Sequence, residues 1–376
     1  MKLSWLKDVA TDPGPSVSVY VDATRDRATG EHDIDLRWRE ARSALAGQGA
    51  PEPALTALDA VATEPTGVGG HVGRALVATA TGLQLDLVLT APPEREEAAT
   101  GPVAHLMPLV RSMADDVRYV LVELDRAGAD VTVARTGAVL GHETRTVEGG
   151  HDLLHKGSGD NRAEHRYQRT VQDSWDHNAA AVAADLADLV RRERPDVVLV
   201  TGDPKAMSAL KDKAPAALAP LVCEVKGGGR AAGTREKAFE ANVTAALDAV
   251  RTRRRQAVLD EFAQERGRQG RAVEGLEPVV AALRAGQVRT VLLLDDPTST
   301  ERLWTGPGPL EVATTREDLD VLGVTDAVQV RADAALVRAL AASDAEIELV
   351  PRPQEDGEEP LLAMTDGIGA LLRYAV

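Results

Sequence analysis

The chain has 376 residues, 44% of them hydrophobic and 3% aromatic, with a formal net charge of −16 and one cysteine. That length exceeds what one hydrophobic core usually organises, so two or three domains are expected, with cores built from Ala, Val and Leu. The acidity excludes a surface coated in positive charge for indiscriminate nucleic-acid binding, so no DNA partner is expected and any contact with RNA must be local.

Cys223 stands alone in an apolar, strand-like run, which excludes a disulfide framework and a cysteine-based metal site. It reads as a buried structural thiol, and no metal or cofactor is expected. Met1 to Asp8 mixes charges with apolar residues, and no stretch is long and apolar enough to span a bilayer. A soluble, cytoplasmic protein with no membrane partner follows.

Residues 1–112 read as one α/β unit. Ser16 to Val21 alternates like a strand, Ile34 to Leu45 is amphipathic, and Arg74 to Thr79 and Leu83 to Thr90 give two more strands before Ala91-Pro92-Pro93-Glu94 breaks the order. His32, His71 and His105 are isolated in the sequence, and a lone histidine is more often structural than a ligand. The unit offers no catalytic constellation.

From Arg118 the pattern becomes a meander: Tyr119 to Leu124, Asp130 to Ala134 and Ala138 to Val147, separated by Ala127-Gly128 and Thr136-Gly137. It ends in the loop His155-Lys156-Gly157-Ser158-Gly159-Asp160, whose glycines permit left-handed or crowded backbone. Asp160 or Asn161 can cap a helix that follows. In that helix Tyr167, Val171, Trp175, Ala179, Val182, Leu186 and Leu189 recur in steps of three and four, which predicts one buried stripe. Arg162, His165, Arg166 and Arg169 fall on one arc opposite that stripe, at about 100° per residue. Running from Asn161 to about Arg194, where Pro195 stops it, the helix would be roughly 50 Å long. One reading is an ordinary surface loop and a solvated helix face; the other is a small-residue tip and a cationic helix inserted into a narrow polyanionic cavity.

Beyond the helix, Asp196 to Asp203 is a continuous apolar strand bounded by turn residues, as expected of a strand buried on both faces. Helix, strand and helix alternate again through Leu210, Leu221 to Val225 and Arg235 to Gln264. Gly227-Gly228-Gly229-Arg230 could cradle a phosphate or simply connect two elements. Arg251, Arg253, Arg254, Arg255, Arg266, Arg268 and Arg271 form the densest cationic region, either a solvated face or a patch for RNA phosphate. The polar run Gln264 to Gly270 marks a domain boundary. The last domain reads as helix (Leu276 to Leu283), strand (Val288 to Leu294), helix (Asp333 to Ala342), strand (Ile347 to Val350) and a final apolar segment, Gly367-Ile368-Gly369-Ala370-Leu371-Leu372-Arg373-Tyr374.

Three of these pieces carry a resemblance. The meander feeding a Gly-rich loop and a helix with His165-Arg166-Tyr167-Gln168-Arg169 and His177-Asn178, the helix-strand pair with Ala285-Gly286-Gln287-Val288-Arg289-Thr290-Val291-Leu292-Leu293, and the terminal motif from Gly367 to Tyr374 together resemble the archaeal and eukaryotic class-I peptide release factors. The chain is most similar to their bacterial branch, the release-factor-like proteins that include the Balon-type ribosome hibernation factors. The resemblance implies an α/β protein of three domains. These are an N-terminal α/β unit facing the decoding centre (1–112), a middle domain with β-meander, sheet and long helix reaching toward the peptidyl-transferase centre (113–265), and a C-terminal α/β/α sandwich similar to ribosomal protein L7Ae (266–376). It also implies binding in the A site of the 70S ribosome, with elongation factor Tu as a partner in the Balon-type branch.

Release factors carry Gly-Gly-Gln at the loop tip, where the glutamine helps place the water that attacks the ester. Here the tip reads Gly157-Ser158-Gly159-Asp160, and the Asn-Ile-Lys-Ser element that reads stop codons is absent from residues 1–112. The expectation is therefore a hibernation factor without termination activity. In it Lys156, Gly157, Ser158, Gly159, Arg162, His165, Arg166 and Arg169 would meet rRNA of the A site and peptidyl-transferase region. The alternative is a peptidyl-tRNA hydrolase rescuing stalled ribosomes, with His155 or His165 as general base.

Overall fold

The structure, a computed structural model, describes residues 1–26, 30–125, 128–138, 143–148, 178–229, 237–352 and 361–375. These form two compact units, Met1–Asp116 together with Arg255–Val376, and Val117–Arg254.

The first unit begins with α1 (Lys7–Thr11), β1 (Ser16–Asp22), α2 (Gly30–Gly47), α3 (Glu52–Asp59), β2 (Gly73–Thr79), β3 (Gly82–Leu89), β4 (Glu97–Gly101) and α4 (Met107–Met113). The strands form an antiparallel sheet in the order β3-β2-β1-β4. Alternation decides its buried face: Val17, Val19, Leu76 and Ala78 pack with Trp38 and Leu45 of α2 and Leu55 and Leu58 of α3. Arg74 breaks the rule that strand cations face water. It is buried because its guanidinium takes both Asp86 carboxylate oxygens, at 2.8 and 2.7 Å, and the carbonyls of Val61 and Glu64 at 2.6 and 2.9 Å. Sequence reading did not anticipate α3, β4 or α4.

The second unit contains β5 (Arg118–Leu124), β6 (Gly128–Arg135), β7 (Glu143–Glu148), α5 (described over residues 178–193), β8 (Val197–Gly202), α6 (Pro204–Lys213), β9 (Val222–Glu224) and the first part of α7 (Lys237–Gly267). Its sheet runs β7-β6-β5-β8-β9, an antiparallel meander continued by parallel strands. The continuous apolar run of β8 has a direct cause. Val198 and Val200 pack with Val182, Leu186 and Leu189 of α5, whereas Val197 and Leu199 pack with Phe239, Leu247 and Val250 of α7.

The first unit resumes in the rest of α7 and adds β10 (Ala272–Glu274), α8 (Leu276–Arg284), β11 (Val288–Leu294), β12 (Arg302–Thr305), β13 (Val312–Ala313), α9 (Arg316–Val321), β14 (Val328–Arg331), α10 (Ala332–Ala342), β15 (Glu346–Val350) and β16 (Ile368–Leu372). One sheet is β10-β16-β11-β15, with β11 and β15 parallel. Leu259 and Phe262 of α7 pack with Leu292, Val350 and Leu371 of this sheet. A second sheet, β13-β12-β14, interrupts the helix-strand alternation expected between β11 and α10. Its strands span two to four residues, too short for a period to show. The first residues of the chain also pair: Lys2 bridges to Glu346, and Ile347 N–H donates to the Met1 carbonyl at 2.9 Å. Among the described residues no helix is long and apolar enough to cross a membrane.

Candidate functional site

Every residue singled out for the loop and basic blade, namely His155, Lys156, Gly157, Ser158, Gly159, Arg162, His165, Arg166 and Arg169, lies outside the described residues. The described residues that flank that segment are β7, which ends at residue 148, and α5, described from residue 178. The part of the predicted stripe that is described behaves as its period requires: Ala179, Val182, Leu186 and Leu189 are all buried, with Leu186 at 0% exposure. Val182, Leu186 and Leu189 pack with Val120, Val122 and Leu124 of β5, which fixes α5 to the sheet. The helix ends at residue 193, Arg194 takes a positive φ of 48°, and Pro195 follows. Asp196 then closes the junction. Its backbone N–H donates to Arg118 O at 2.7 Å, and its carboxylate accepts from Arg118 N–H at 2.8 Å.

Of the glycine run, Gly227, Gly228 and Gly229 are described and Arg230 is not. Gly228 N–H donates to Thr201 Oγ1 at 3.1 Å, and a Cβ there would stand 2.6 Å from the Phe239 ring. The glycine lets the backbone pass close to Phe239 of α7, and this N–H is already engaged by the protein. Likewise Gly202, with φ of 132°, has no room for a Cβ beside the Leu124 carbonyl, and Asp203 accepts from Lys205 and Ala206 N–H at 2.9 and 3.2 Å. That carboxylate caps the α6 N-terminus.

The cationic region is largely compensated within the protein. Arg251 pairs with Asp248 at 2.6 Å, Arg254 with Asp196 at 3.3 Å, and Arg255 with Asp115 at 2.6 Å and Glu348 at 3.3 Å. Arg266 pairs with Glu274 at 3.1 Å, and Arg271 with Glu265 at 3.4 Å. Each pair removes positive potential that RNA phosphate would otherwise meet. All of these arginines but Arg271 are on α7, which continues to Gly267, and the two compact units divide within it, at Arg254 and Arg255.

The model of the bacterial archaeo-eukaryotic release factor family 2 matches residues 118–268, from the start of β5 to the end of α7. Over the whole chain, an uncharacterised protein of Mycobacterium tuberculosis, in the Oshkosh and H37Rv strains, is 30% identical across 386 aligned residues that cover 100% of this chain and 96% of the relative. The chain belongs to the bacterial archaeo-eukaryotic release factor family. Among solved structures, the archaeal translation termination factor aRF1 is 16% identical with a TM-score of 0.22, over 99% of this chain and 96% of that one. Archaeal Pelota, from a model of its ribosome-bound complex with ABCE1, is 14% identical with a TM-score of 0.39, over 99% and 93%.

In this release-factor family member one histidine reads differently in the structure than in the sequence. His32 and His71 are exposed, but His105 is buried and is not isolated. Its Nε2 lies 3.1 Å from a Glu97 carboxylate oxygen, and its Nδ1 lies 3.8 Å from Asp333 of α10. The backbone is held on both sides, since His105 N–H donates to Ser18 Oγ at 3.2 Å and Tyr20 Oη donates to His105 O at 2.7 Å. The His105 bond, with Arg111 and Arg331 nearby, holds the Glu97 carboxyl below the ordinary carboxylate value; burial pushes the Tyr20 phenol up. No local motif marks this cluster, because its members come from β1, β4 and α10. Cys223 is half-buried and free, and among the described residues no group of His, Cys, Asp and Glu could hold a metal ion.

Proposed function

We propose that this protein occupies the A site of the 70S ribosome as a hibernation factor and performs no termination chemistry. The observation that carries the reading is the tip, Gly157-Ser158-Gly159-Asp160, within the segment matched by the family model. It lacks the glutamine amide on which the family's ester hydrolysis depends. A carboxylate at Asp160 is a poor substitute, being repelled by surrounding phosphate at about 1 kcal/mol per charge even in bulk water at 4 Å.

Arg162, Arg166 and Arg169 supply phosphate contacts, which give salt-dependent affinity and little sequence selectivity, while the shape of the helix and tip supplies the rest. What supports the reading is that α5, described from residue 178, is packed firmly on the sheet and follows these arginines in the sequence. In this proposal residues 1–112 face the decoding centre, 113–265 reach toward the peptidyl-transferase centre, 266–376 form the L7Ae-like part, and elongation factor Tu is a partner in the cytoplasm.

Rescue of stalled ribosomes is the competing reading, favoured by His155 just ahead of the tip and His165 in the basic arc. Labelled peptidyl-tRNA in stalled complexes separates the two. Stoichiometric binding with no peptide released is the expected result; release that disappears in His155→Ala or His165→Ala replaces occupation with hydrolysis.

A further inference from the structure

A crevice of about 630 Å³ lies at the carboxyl end of β11, within the unit formed by Met1–Asp116 and Arg255–Val376. Its volume is in the range of small-molecule sites, and the carboxyl ends of parallel strands such as β11 and β15 are where α/β sheets commonly take ligands. Much of its wall is apolar, from Leu276 at the start of α8, Leu293 and Leu294 of β11, Leu336 of α10 and Ile368 of β16.

Two polar features converge on this wall. Arg111 of α4 has only 16% of its side chain exposed and donates from Nε to Asp295 Oδ1 at 2.6 Å. Its two Nη atoms have no acceptor among the described residues, and Arg111 is part of the crevice lining. Glu301 and Asp366 bring negative charge to the same crevice. Asp366 gives one oxygen to Leu276 N–H at 3.0 Å, and the Glu301 carboxylate has no partner among the described residues. The other charges of the lining cancel in pairs, Arg352 with Asp296 and Asp333 with Arg331. What remains is an N–H edge suited to a carboxylate, two carboxylates suited to an ammonium, and an apolar wall.

We propose that this crevice binds a small zwitterion with an apolar body, an apolar amino acid or a short apolar peptide with free termini, its carboxylate on Arg111 and its ammonium toward Glu301 and Asp366. The site is independent of the ribosome reading.

Calorimetric titration of the full chain with leucine, Leu-Leu and Leu-Leu-Leu tests it and separates the free amino acid from the peptides. Saturable binding is expected for at least one of them and none for N-acetyl-leucinamide, which has the body without the charges. Arg111→Gln should weaken binding at least about tenfold, the loss expected for a hydrogen bond to a charged group. Because that change also removes the Asp295 contact, Glu301→Gln, which breaks no side-chain bond among the described residues, serves as the second variant and should weaken binding as well. No binding of any of the three, equal binding of the capped analogue, or binding unchanged in Glu301→Gln overturns the proposal.

Discussion

His105 Nε2 and the Glu97 carboxylate meet at 3.1 Å in the first unit, and the far side of the same ring faces Asp333 of α10 at 3.8 Å. A single buried ring thus bridges the N-terminal sheet and a helix from the last third of the chain. Because the folded Glu97 carboxyl titrates below its ordinary value of 4.5, with the His105 bond as the largest cause, it binds fewer protons folded than unfolded. Its stabilising contribution is therefore complete above about pH 4.5 and is lost as pH falls through the folded value. Glu97→Gln should lower the urea midpoint at pH 7, and the difference from the natural protein should shrink below about pH 4.5. A difference that stays constant with pH would show that the carboxylate charge contributes nothing.

Leu186 anchors α5 to β5 and β8 and has no exposed surface. Leu186→Ala should cost roughly 2–5 kcal/mol of stability by lost transfer energy and the cavity left behind, read from chemical denaturation. Where the fold persists, the proposed ribosome reading predicts that affinity falls too, because α5 follows the basic residues directly in the sequence. An unchanged denaturation midpoint would contradict the packing described.

At Gly369 a Cβ would stand 2.5 Å from the Phe262 ring. Gly369→Ala should destabilise by about 1–3 kcal/mol, the usual cost of overpacking, and Phe262→Leu in the same chain should recover part of the loss. Additive losses in the double variant would mean that the ring is not what excludes the side chain.

How much of this was legible in the sequence follows from element length and from where partners lie along the chain. Strands of six to eight residues, such as β1, β2, β3, β5, β6 and β8, announced themselves by composition and period. The small sheet β13-β12-β14 did not, since strands of two to four residues hold too little pattern. The buried Arg74 and the His105 cluster depend on partners that only the fold brings together. Gly369 was visible as part of a terminal motif, but its physical reason, the Phe262 ring, lies more than a hundred residues earlier. The loop and basic arc lie outside the described residues; of the predicted stripe, Ala179, Val182, Leu186 and Leu189 are described and buried as the period demanded.

Salt dependence isolates the role of the arc. Co-sedimentation with 70S ribosomes should weaken steeply with ionic strength, and changing Arg162, Arg166 and Arg169 to Glu should abolish the complex. Changing the same three to Gln should reduce the slope of log affinity against log salt by roughly 2–3, at about 0.7–0.9 for each phosphate no longer neutralised. A slope unaffected by the Gln variant would remove these arginines from the interface.

The most direct measurement is a density map of 70S ribosomes carrying the purified chain. Density for the protein is predicted in the A site, with the segment around Gly157-Ser158-Gly159-Asp160 directed at the peptidyl-transferase region and no peptide released from a peptidyl-tRNA present beside it. Ribosomes without the protein at saturating concentration, or the protein bound with that segment away from the A site, would contradict it.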